Sequence, residues 1–422
     1  MDRAQLADCL GGRHAGPLKR HSVVCEADPR RFQTAFAEGV AAGGKVFLAD
    51  PKWSPSEMAE FDRLRSEATR EDQEADCRED LGWLHIPTGG TGGKLKLARH
   101  DELTIDAAVR GFTAHFFLEK AVHAFGVLPL HHVSGLMAWL RCALTRGTYT
   151  VGDWTSLQAG VLPTGVEPGG FLSLVPTQLE RLLRNESMAD WLKTFRAVFV
   201  GGGPSWPGLL DRAATAGVPL VLSYGMTETA AMAVAQKPGE FLAGDRSCGR
   251  QLPHVEIRTN AEGAVQVSGE SIFRGYAGGE MNSERRFETF DLGRIDSQGR
   301  LWIEGRRDQI IITGGEKVDP LLVEAVLRAT GEFSDVVVVG MDDPVWGQKV
   351  VACYESEGTG PDMIKVQGEI ERSLAPFRRP KGYVPITPWP RNGVGKVNRA
   401  AIRRILGEIC CTSAEAKTSG LL

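Results

Sequence analysis

Two stretches of this 422-residue chain combine residue types that could handle a phosphorylated ligand. The first is Thr88-Gly89-Gly90-Thr91-Gly92-Gly93-Lys94-Leu95-Lys96. Clustered glycines let successive backbone N–H groups turn toward an anion. The threonine hydroxyls can donate to phosphate oxygens, and a lysine adds positive charge. The stretch does not fit the Walker loop, because Thr88 stands at its first glycine, nor G-x-G-x-x-G, because Leu95 stands at its last. Taken alone it also reads as a flexible hairpin tip. The second is Ser223-Tyr224-Gly225-Met226-Thr227-Glu228-Thr229. It offers an aromatic face for a base, hydroxyls for a phosphate and a carboxylate for Mg²⁺. Taken alone it also reads as a helix start capped by Thr227 or Thr229.

The elements around these stretches set their positions. Gly82–Ile86 and Lys94–Arg99 read as strands on either side of the glycine loop. Helical spacing over Asp101–Phe117 follows. Phe125–Leu130, Phe171–Val175, Phe195–Val200 and Val218–Leu222 are short apolar runs that read as strands, and Pro176 suits the first turn of a helix. Strands alternating with helices predict an α/β fold, with mainly parallel sheets covered by helices. Ligands on such sheets sit at the carboxyl ends of the strands, where Gly201–Gly203 and Ser223–Thr229 fall. Residues 245–305 read as a β subdomain with strands at Val255–Arg258, Ala264–Val267 and Leu301–Ile303. Beyond Arg307 a smaller α+β domain is expected. It has strands at Asp335–Val339 and Lys349–Tyr354 and helices at Met363–Leu374 and Arg399–Leu406. The last dozen residues show little periodicity and are expected to fray.

Composition narrows the function classes. The formal net charge of −4 argues against a nucleic-acid binder. The eight cysteines are scattered without a C-x-x-C pair, so neither a zinc site nor a redox motif is expected, and a reducing cytoplasm fits them. The opening residues lack the long apolar run of a signal peptide, and no apolar stretch is long enough to span a membrane. The final residues are not the peroxisomal tripeptide.

Six segments, in order, resemble the motifs of the adenylate-forming superfamily of acyl-CoA synthetases, adenylation domains and luciferases. Residues 88–96 resemble its T-S-G-T-T-G-x-P-K loop, with Gly89, Gly92 and Leu95 departing. Tyr224–Thr229 resembles Y-G-x-T-E. Thr289-Phe290-Asp291-Leu292-Gly293 resembles T-G-D-L-G, with Phe290 in place of a glycine. Gly305-Arg306-Arg307-Asp308 resembles the G-R-x-D hinge, and Gly314–Pro320 resembles G-G-E-N-I-x-P. Asn392–Val397 resembles the C-terminal G-K motif.

The resemblance implies a mobile C-terminal domain at 308–422 behind an ATP- and acid-binding domain at 1–307. It implies ATP, Mg²⁺ and coenzyme A as reactants and cofactors. The loop with Thr88, Gly89, Gly90, Thr91, Gly92 and Lys96 would hold the β and γ phosphates. Gly201, Gly202 and Gly203 would meet the adenine edge, and Tyr224 would stack on its ring. Thr227 would approach the α-phosphate, and Glu228 would bind Mg²⁺. Asp291 and Arg306 would take the ribose. Lys396 is the implied catalytic lysine, a cation offsetting the repulsion between an attacking carboxylate and the α-phosphate. Asp308 would be the hinge, and Gly314 and Gly315 would line the pantetheine tunnel.

Leu128–Gly135 matches the family's acid-pocket segment, with His132 at its gating aromatic position. A helix starting near Ser134 would put Ser134, Ala138 and Arg141 on one face. Arg141 either reaches the pocket or lies at the surface. Fewer than about 90 residues precede the glycine loop. With the acid segment and S-L-V-P-T-Q-L-E-R-L-L, this resembles short 2-succinylbenzoate–CoA ligases of cyanobacterial type, which serve menaquinone and phylloquinone synthesis. An aromatic carboxylic acid is then the expected partner. The alternatives are another aryl- or acyl-CoA ligase, an adenylation domain loading a carrier protein, and a non-catalytic nucleotide-binding protein. Oligomeric state is not readable.

Overall fold

The computed structural model describes residues 1–12, 20–74, 82–89, 95–119, 121–203, 205–356, 360–391 and 397–418. They form two compact units. The first comprises residues 1–205, 209–289 and 293–303, and the second comprises 206–208, 290–292 and 304–422.

The first unit opens with a four-stranded sheet, β1 (Arg20–Val24), β2 (Gly43–Leu48), β3 (Leu84–Gly89) and β4 (Leu95–His100), in that order. β1, β2 and β3 run parallel, while β4 returns antiparallel to β3. Helices α1 (Arg3–Cys9), α2 (Pro29–Ala41) and α3 (Pro55–Glu74) accompany it. α2 shows the usual start signals: Asp28 accepts from the Arg31 N–H, and Pro29 occupies the first turn.

The second sheet has seven strands: β5 (Ala124–Gly126), β6 (Tyr149–Val151), β7 (Phe171–Leu174), β8 (Ala197–Val200), β9 (Leu220–Met226), β10 (Ala231–Ala235) and β11 (Arg250–Gln251). Their order is β11-β10-β9-β8-β7-β5-β6, parallel from β9 to β6. α4 (Glu102–His115), α5 (Val133–Leu144), α6 (Trp154–Gln158), α7 (Pro176–Leu182), α8 (Glu186–Leu192) and α9 (Pro207–Thr215) complete this part of the chain. Phe112, Phe116, Phe171 and Phe199 are buried and pack ring against ring between α4 and the sheet. Together such rings bury several hundred Å² of apolar surface.

A third sheet is antiparallel at β12 (Val255–Thr259) and β13 (Ala264–Gly269), and continues through β14 (Arg286–Ile295) to β15 (Leu301–Arg306). The second unit's sheet contains β16 (Ile311–Thr313), β17 (Glu316–Val318), β18 (Val336–Asp343), β19 (Gly347–Glu355) and β20 (Gly382–Ile386). Its helices are α10 (Pro320–Ala329), α11 (Met363–Ser373) and α12 (Arg399–Thr418). Glu324, fully buried on α10, accepts from Arg399, Arg328 and the Val338 N–H and so ties α10, α12 and β18 together.

The architecture is the expected α/β type with a β subdomain and an α+β part. Several boundaries differ. The apolar run at Phe125–Leu130 is a strand only to Gly126, because Pro129 and the turn into α5 end the pairing. Ser223–Met226 is strand rather than loop, because β10 folds back onto β9 and supplies its bonds. Thr227–Thr229 is one 3-10 turn, so no helix is capped there. β14 and α10 were not foreseen. The C-terminal helix runs to Thr418, so the expected fraying does not hold in the backbone up to that residue, and residues 419–422 lie outside the described residues.

Candidate active site

The ends of β3 and β4 carry Thr88, Gly89 and Lys96, with Thr88 opposite Lys96 in the ladder. Gly90, Thr91 and Gly92 lie outside the described residues. Lys96 Nζ stands 4.6 Å from the centre of the Tyr276 ring. The Tyr276 hydroxyl donates to Glu228 Oε1 at 2.6 Å. Burial and then the Glu228 charge raise the Tyr276 pKa, so the phenol keeps its proton. Glu228 is only 7% exposed. Among the described residues nothing bonds its Oε2, which leaves one oxygen for a hard cation, as Mg²⁺ coordination requires.

Three further contacts fix this corner. His100 Nε2 lies 2.8 Å from the Thr227 carbonyl, and burial pushes the imidazole down to about 4. A neutral ring with one N–H can hold that bond. The Phe273 N–H donates to the Glu228 carbonyl at 2.9 Å. Asp101, the cap of α4, forms a buried ion pair with Arg274. Residues 273–277 thus join β4 to Glu228. Tyr276, Arg274, His100 and Asp101 were not identified from the sequence. The only local signal was the Asp101 cap.

Backbone geometry at the corner is unusual. Ala230 and Ala231 both adopt positive φ, 52° and 76°, which costs of order 1–3 kcal/mol per residue. The turn lets β10 double back so closely that a Cβ on Gly225 would lie 1.8 Å from the Ala231 carbonyl oxygen. Gly201–Gly203 leave the end of β8 beside β9, where a Cβ on Gly201 would approach Ser223 Oγ. Tyr224, on β9, packs at the edge of the phenylalanine core.

Asp291, Arg306 and Asp308 come together in the second unit. Arg306 donates to Asp291 Oδ1 at 2.9 Å and to Asp308 Oδ1 at 3.0 Å. Asp291 lies on the buried face of β14, and Phe290 points outward with the Arg307 guanidinium 5.5 Å from its ring centre. Phe290 therefore fits a regular strand. Gly314 and Gly315, with φ of 58° and 85°, form the two-residue turn between β16 and β17. Lys396 lies outside the described residues. The flanking Arg391 and Val397 pair across an antiparallel bridge, and Arg391 is held by Asp335 and Glu355.

The acid-pocket candidates divide. Arg141 is 5% exposed, so it is no surface residue. Its guanidinium lies 4.2 Å from the Phe112 ring centre. Among the described residues it makes no ion pair or hydrogen bond, and burial pushes its pKa down to about 10. Ala138 and Arg141 line a narrow cavity with Phe112, Phe171, Ser173 and Phe199. Ser134, half-buried on α5, and His132, which precedes it, are not among its lining residues. His132 instead meets His131 and Asp50.

Residues 23–277 match the AMP-binding enzyme family, and residues 322–396 match the AMP-binding enzyme C-terminal domain. An indoleacetate–CoA ligase from Aromatoleum aromaticum is 31% identical over 76% of this chain and 66% of its own length. A 2-succinylbenzoate–CoA ligase from Listeria monocytogenes is 30% identical over 65% and 60%, respectively. A probable 2-succinylbenzoate–CoA ligase from Mycobacterium tuberculosis is 31% identical over 77% and 85%. The chain thus spans 60–66% of the length of the first relatives it matches. The o-succinylbenzoate CoA synthetase of Bacillus subtilis, solved with an acyl-adenylate, shares the fold with a TM-score of 0.76 at 21% identity, over 95% of this chain and 91% of that one. Among the described residues no helix is long and apolar enough to cross a membrane. With both family regions in order and the M. tuberculosis relative covered over most of its length, this chain belongs to the AMP-binding enzyme family.

Proposed function

We propose that the protein is an ATP-dependent acid–CoA ligase acting through an acyl-adenylate, with 2-succinylbenzoate as its acid and menaquinone or phylloquinone synthesis as its setting. The observation that carries this reading is Arg141, a buried guanidinium without an anionic partner among the described residues. Burying an unpaired charge costs several kcal/mol. A diacid repays that cost: one carboxylate reacts and the other pairs with Arg141. The relatives named as 2-succinylbenzoate–CoA ligases support the same acid. The cavity at Arg141 is only about the size of one water, so an aromatic acid enters with movement of the lining side chains.

Adenylation joins the succinyl carboxylate to the α-phosphate and releases pyrophosphate. The coenzyme A thiol then attacks the acyl carbon and AMP leaves. Thr88, Gly89 and Lys96, with Gly90, Thr91 and Gly92, hold the outer phosphates. Gly201–Gly203 and Tyr224 take the base, Asp291 and Arg306 the ribose, and Thr227 the α-phosphate. Glu228, oriented by Tyr276, presents its second oxygen to Mg²⁺, which when bound neutralises phosphate charge. Lys396 stabilises the first transition state. Asp308 is the hinge at which the domain from 308 onward turns, and Gly314–Gly315 border the thiol's path. His132 and Ser134 flank the acid's approach.

The indoleacetate–CoA ligase relative supports a second reading, an aryl-acid ligase for a monocarboxylate. Pyrophosphate release across a panel of acids separates the two. The diacid reading requires a kcat/KM for 2-succinylbenzoate far above that for 4-phenylbutanoate-like analogues, and on the order of 10⁴ is attainable. Comparable values would overturn it in favour of the second reading.

A further inference from the structure

Asp50 lies two residues beyond β2, and His131 and His132 lie in the turn between β5 and α5. Their ligating atoms all fall within 4.8 Å of one another. We propose that these three side chains form a site for a divalent transition-metal ion of the zinc type, distinct from the Mg²⁺ carboxylate Glu228.

The spacing is the first argument. His131 Nε2 stands 3.4 Å from Asp50 Oδ2. That exceeds the roughly 2.7–3.2 Å of an N–H···O hydrogen bond. Two ligands on a tetrahedral ion with bonds of about 2.0–2.1 Å stand about 3.3 Å apart. The His131–Asp50 pair is therefore already at ligand separation, and a His132 nitrogen lies within 4.8 Å of both ligating atoms.

Burial is the second. Asp50 and His131 are 4% and 5% exposed. Among the described residues neither lysine nor arginine pairs with Asp50, whose ionic contact is to His131. A carboxylate so placed calls for a cation. The remaining Asp50 oxygen accepts from the Lys52 N–H at 2.9 Å, so Oδ2 is turned toward the histidines. Outer bonds of this kind orient metal ligands.

His132 supplies the third. It precedes α5 as its cap residue, yet its side chain makes no cap bond. Its ring lies 4.5 Å from that of His131, centre to centre. Histidine is a poor choice for that position on helical grounds. A nitrogen of each imidazole and an Asp50 oxygen lie within 4.8 Å of one another.

Two imidazoles and one carboxylate suit Zn²⁺, Co²⁺ or Ni²⁺ rather than Mg²⁺, which prefers oxygen ligands in octahedral array. Three protein ligands leave a fourth position for water or a ligand. A bound ion would tie the end of β2 to the start of α5, the helix that carries Arg141.

The test uses the full chain, stripped with chelator and titrated with Zn²⁺ calorimetrically in millimolar Mg²⁺. One saturable equivalent is expected. Asp50→Asn and His131→Gln should each weaken it at least about 10–100-fold, while His21→Gln, an exposed histidine outside the cluster, should leave it unchanged. Should a variant unfold, Co²⁺ in the unaltered chain decides. Intense visible bands mark four-coordinate Co²⁺ and support the site. Weak octahedral bands, no saturable equivalent, or an equivalent unchanged in both variants overturn it.

Discussion

Glu228 and Arg141 are both buried charges in the first unit, and their surroundings treat them differently. Glu228 is bonded by Tyr276, its carbonyl is held by Phe273, and the neighbouring Asp101 is paired with Arg274. Arg141 rests on an aromatic ring with no polar partner among the described residues. The proposed nucleotide corner has its polar bonds, save one to Glu228 Oε2, made before a ligand arrives, so little reorganisation is left for binding. The helix proposed to face the acid keeps one buried charge without a polar partner among the described residues, an arrangement that on the proposed function gives up stability for selectivity. On the proposed function, preorganisation and unmet demand would serve two ends of one reaction.

A charge belonging to neither region sets the upper scale. Lys396→Ala should slow adenylate formation by about 10²–10³, while thioester formation from supplied acyl-adenylate stays largely intact. Single-turnover assays of the two half-reactions separate these, and an equal loss in both would remove the lysine from its role. Next comes Arg141→Met, which strikes the unsatisfied side. kcat/KM for the diacid should fall about 10²-fold, with the KM for ATP unchanged. Replacing an unpaired buried charge by an apolar chain should leave stability unchanged or raise it by about 1–4 kcal/mol. A lowered melting temperature would show that Arg141 is satisfied by contacts within the fold, and the contrast with Glu228 would collapse.

Tyr276→Phe strikes the satisfied side. Loss of a hydrogen bond to a charged group is worth about 1.5–3 kcal/mol. The Mg²⁺ concentration for half-maximal activity should rise about tenfold, with partial rescue at high Mg²⁺ and an unchanged KM for the acid. A drop in melting temperature without any shift in Mg²⁺ dependence would mark the tyrosine as a packing residue only. The last effect is on stability rather than on activity, through pH. Burial pushes His100 to about 4 and His85 to about 3, from an ordinary 6.5. Above pH 6.5 both are neutral folded and unfolded, and stability is full. As pH falls from 6.5 toward 4, the unfolded chain takes up protons that the folded chain refuses, and stability is lost. For His100 the full loss is ~3 kcal/mol. Denaturant midpoints between pH 7 and 4 measure it, and His100→Gln should flatten the slope.

The same contrast explains what could be read from the chain in advance. Short apolar runs gave away the parallel strands, because residues buried on both faces need no alternation. β14 escaped notice because its pattern is inverted. Its inner face presents Thr289, Asp291 and Gly293 after the half-buried Phe287, while Phe290 faces outward, so most of that face is polar or bare. A strand whose inner face is polar does not look like a strand. Helical spacing grouped Ala138 and Arg141, which line one cavity, with Ser134, which does not, and could not tell the depth of Arg141, which lies against Phe112 on another helix. Tyr276 gave no signal, since its bond to Glu228 joins residues 48 positions apart. Asp50 and His131 likewise meet only through the pairing of separate elements. Lys396 and the tip of the glycine loop lie outside the described residues and rest on the sequence alone.

The bridge between Ala98 and Tyr276 bears on how the molecule is made. Close by, Arg99 reaches the Arg274 carbonyl across 175 positions of chain. Contacts of that span must close a long loop before they contribute, which slows their formation, and during synthesis they wait for the later residues to emerge. A chain emerging from the ribosome therefore builds the glycine hairpin and Glu228 well before the segment that joins them exists. Until Tyr276 is available, the Glu228 carboxylate lacks its phenol, and on the proposed function the nascent protein could not orient a metal–nucleotide complex there. On that reading, competence at this corner would wait on the synthesis of a segment 48 positions further along the chain.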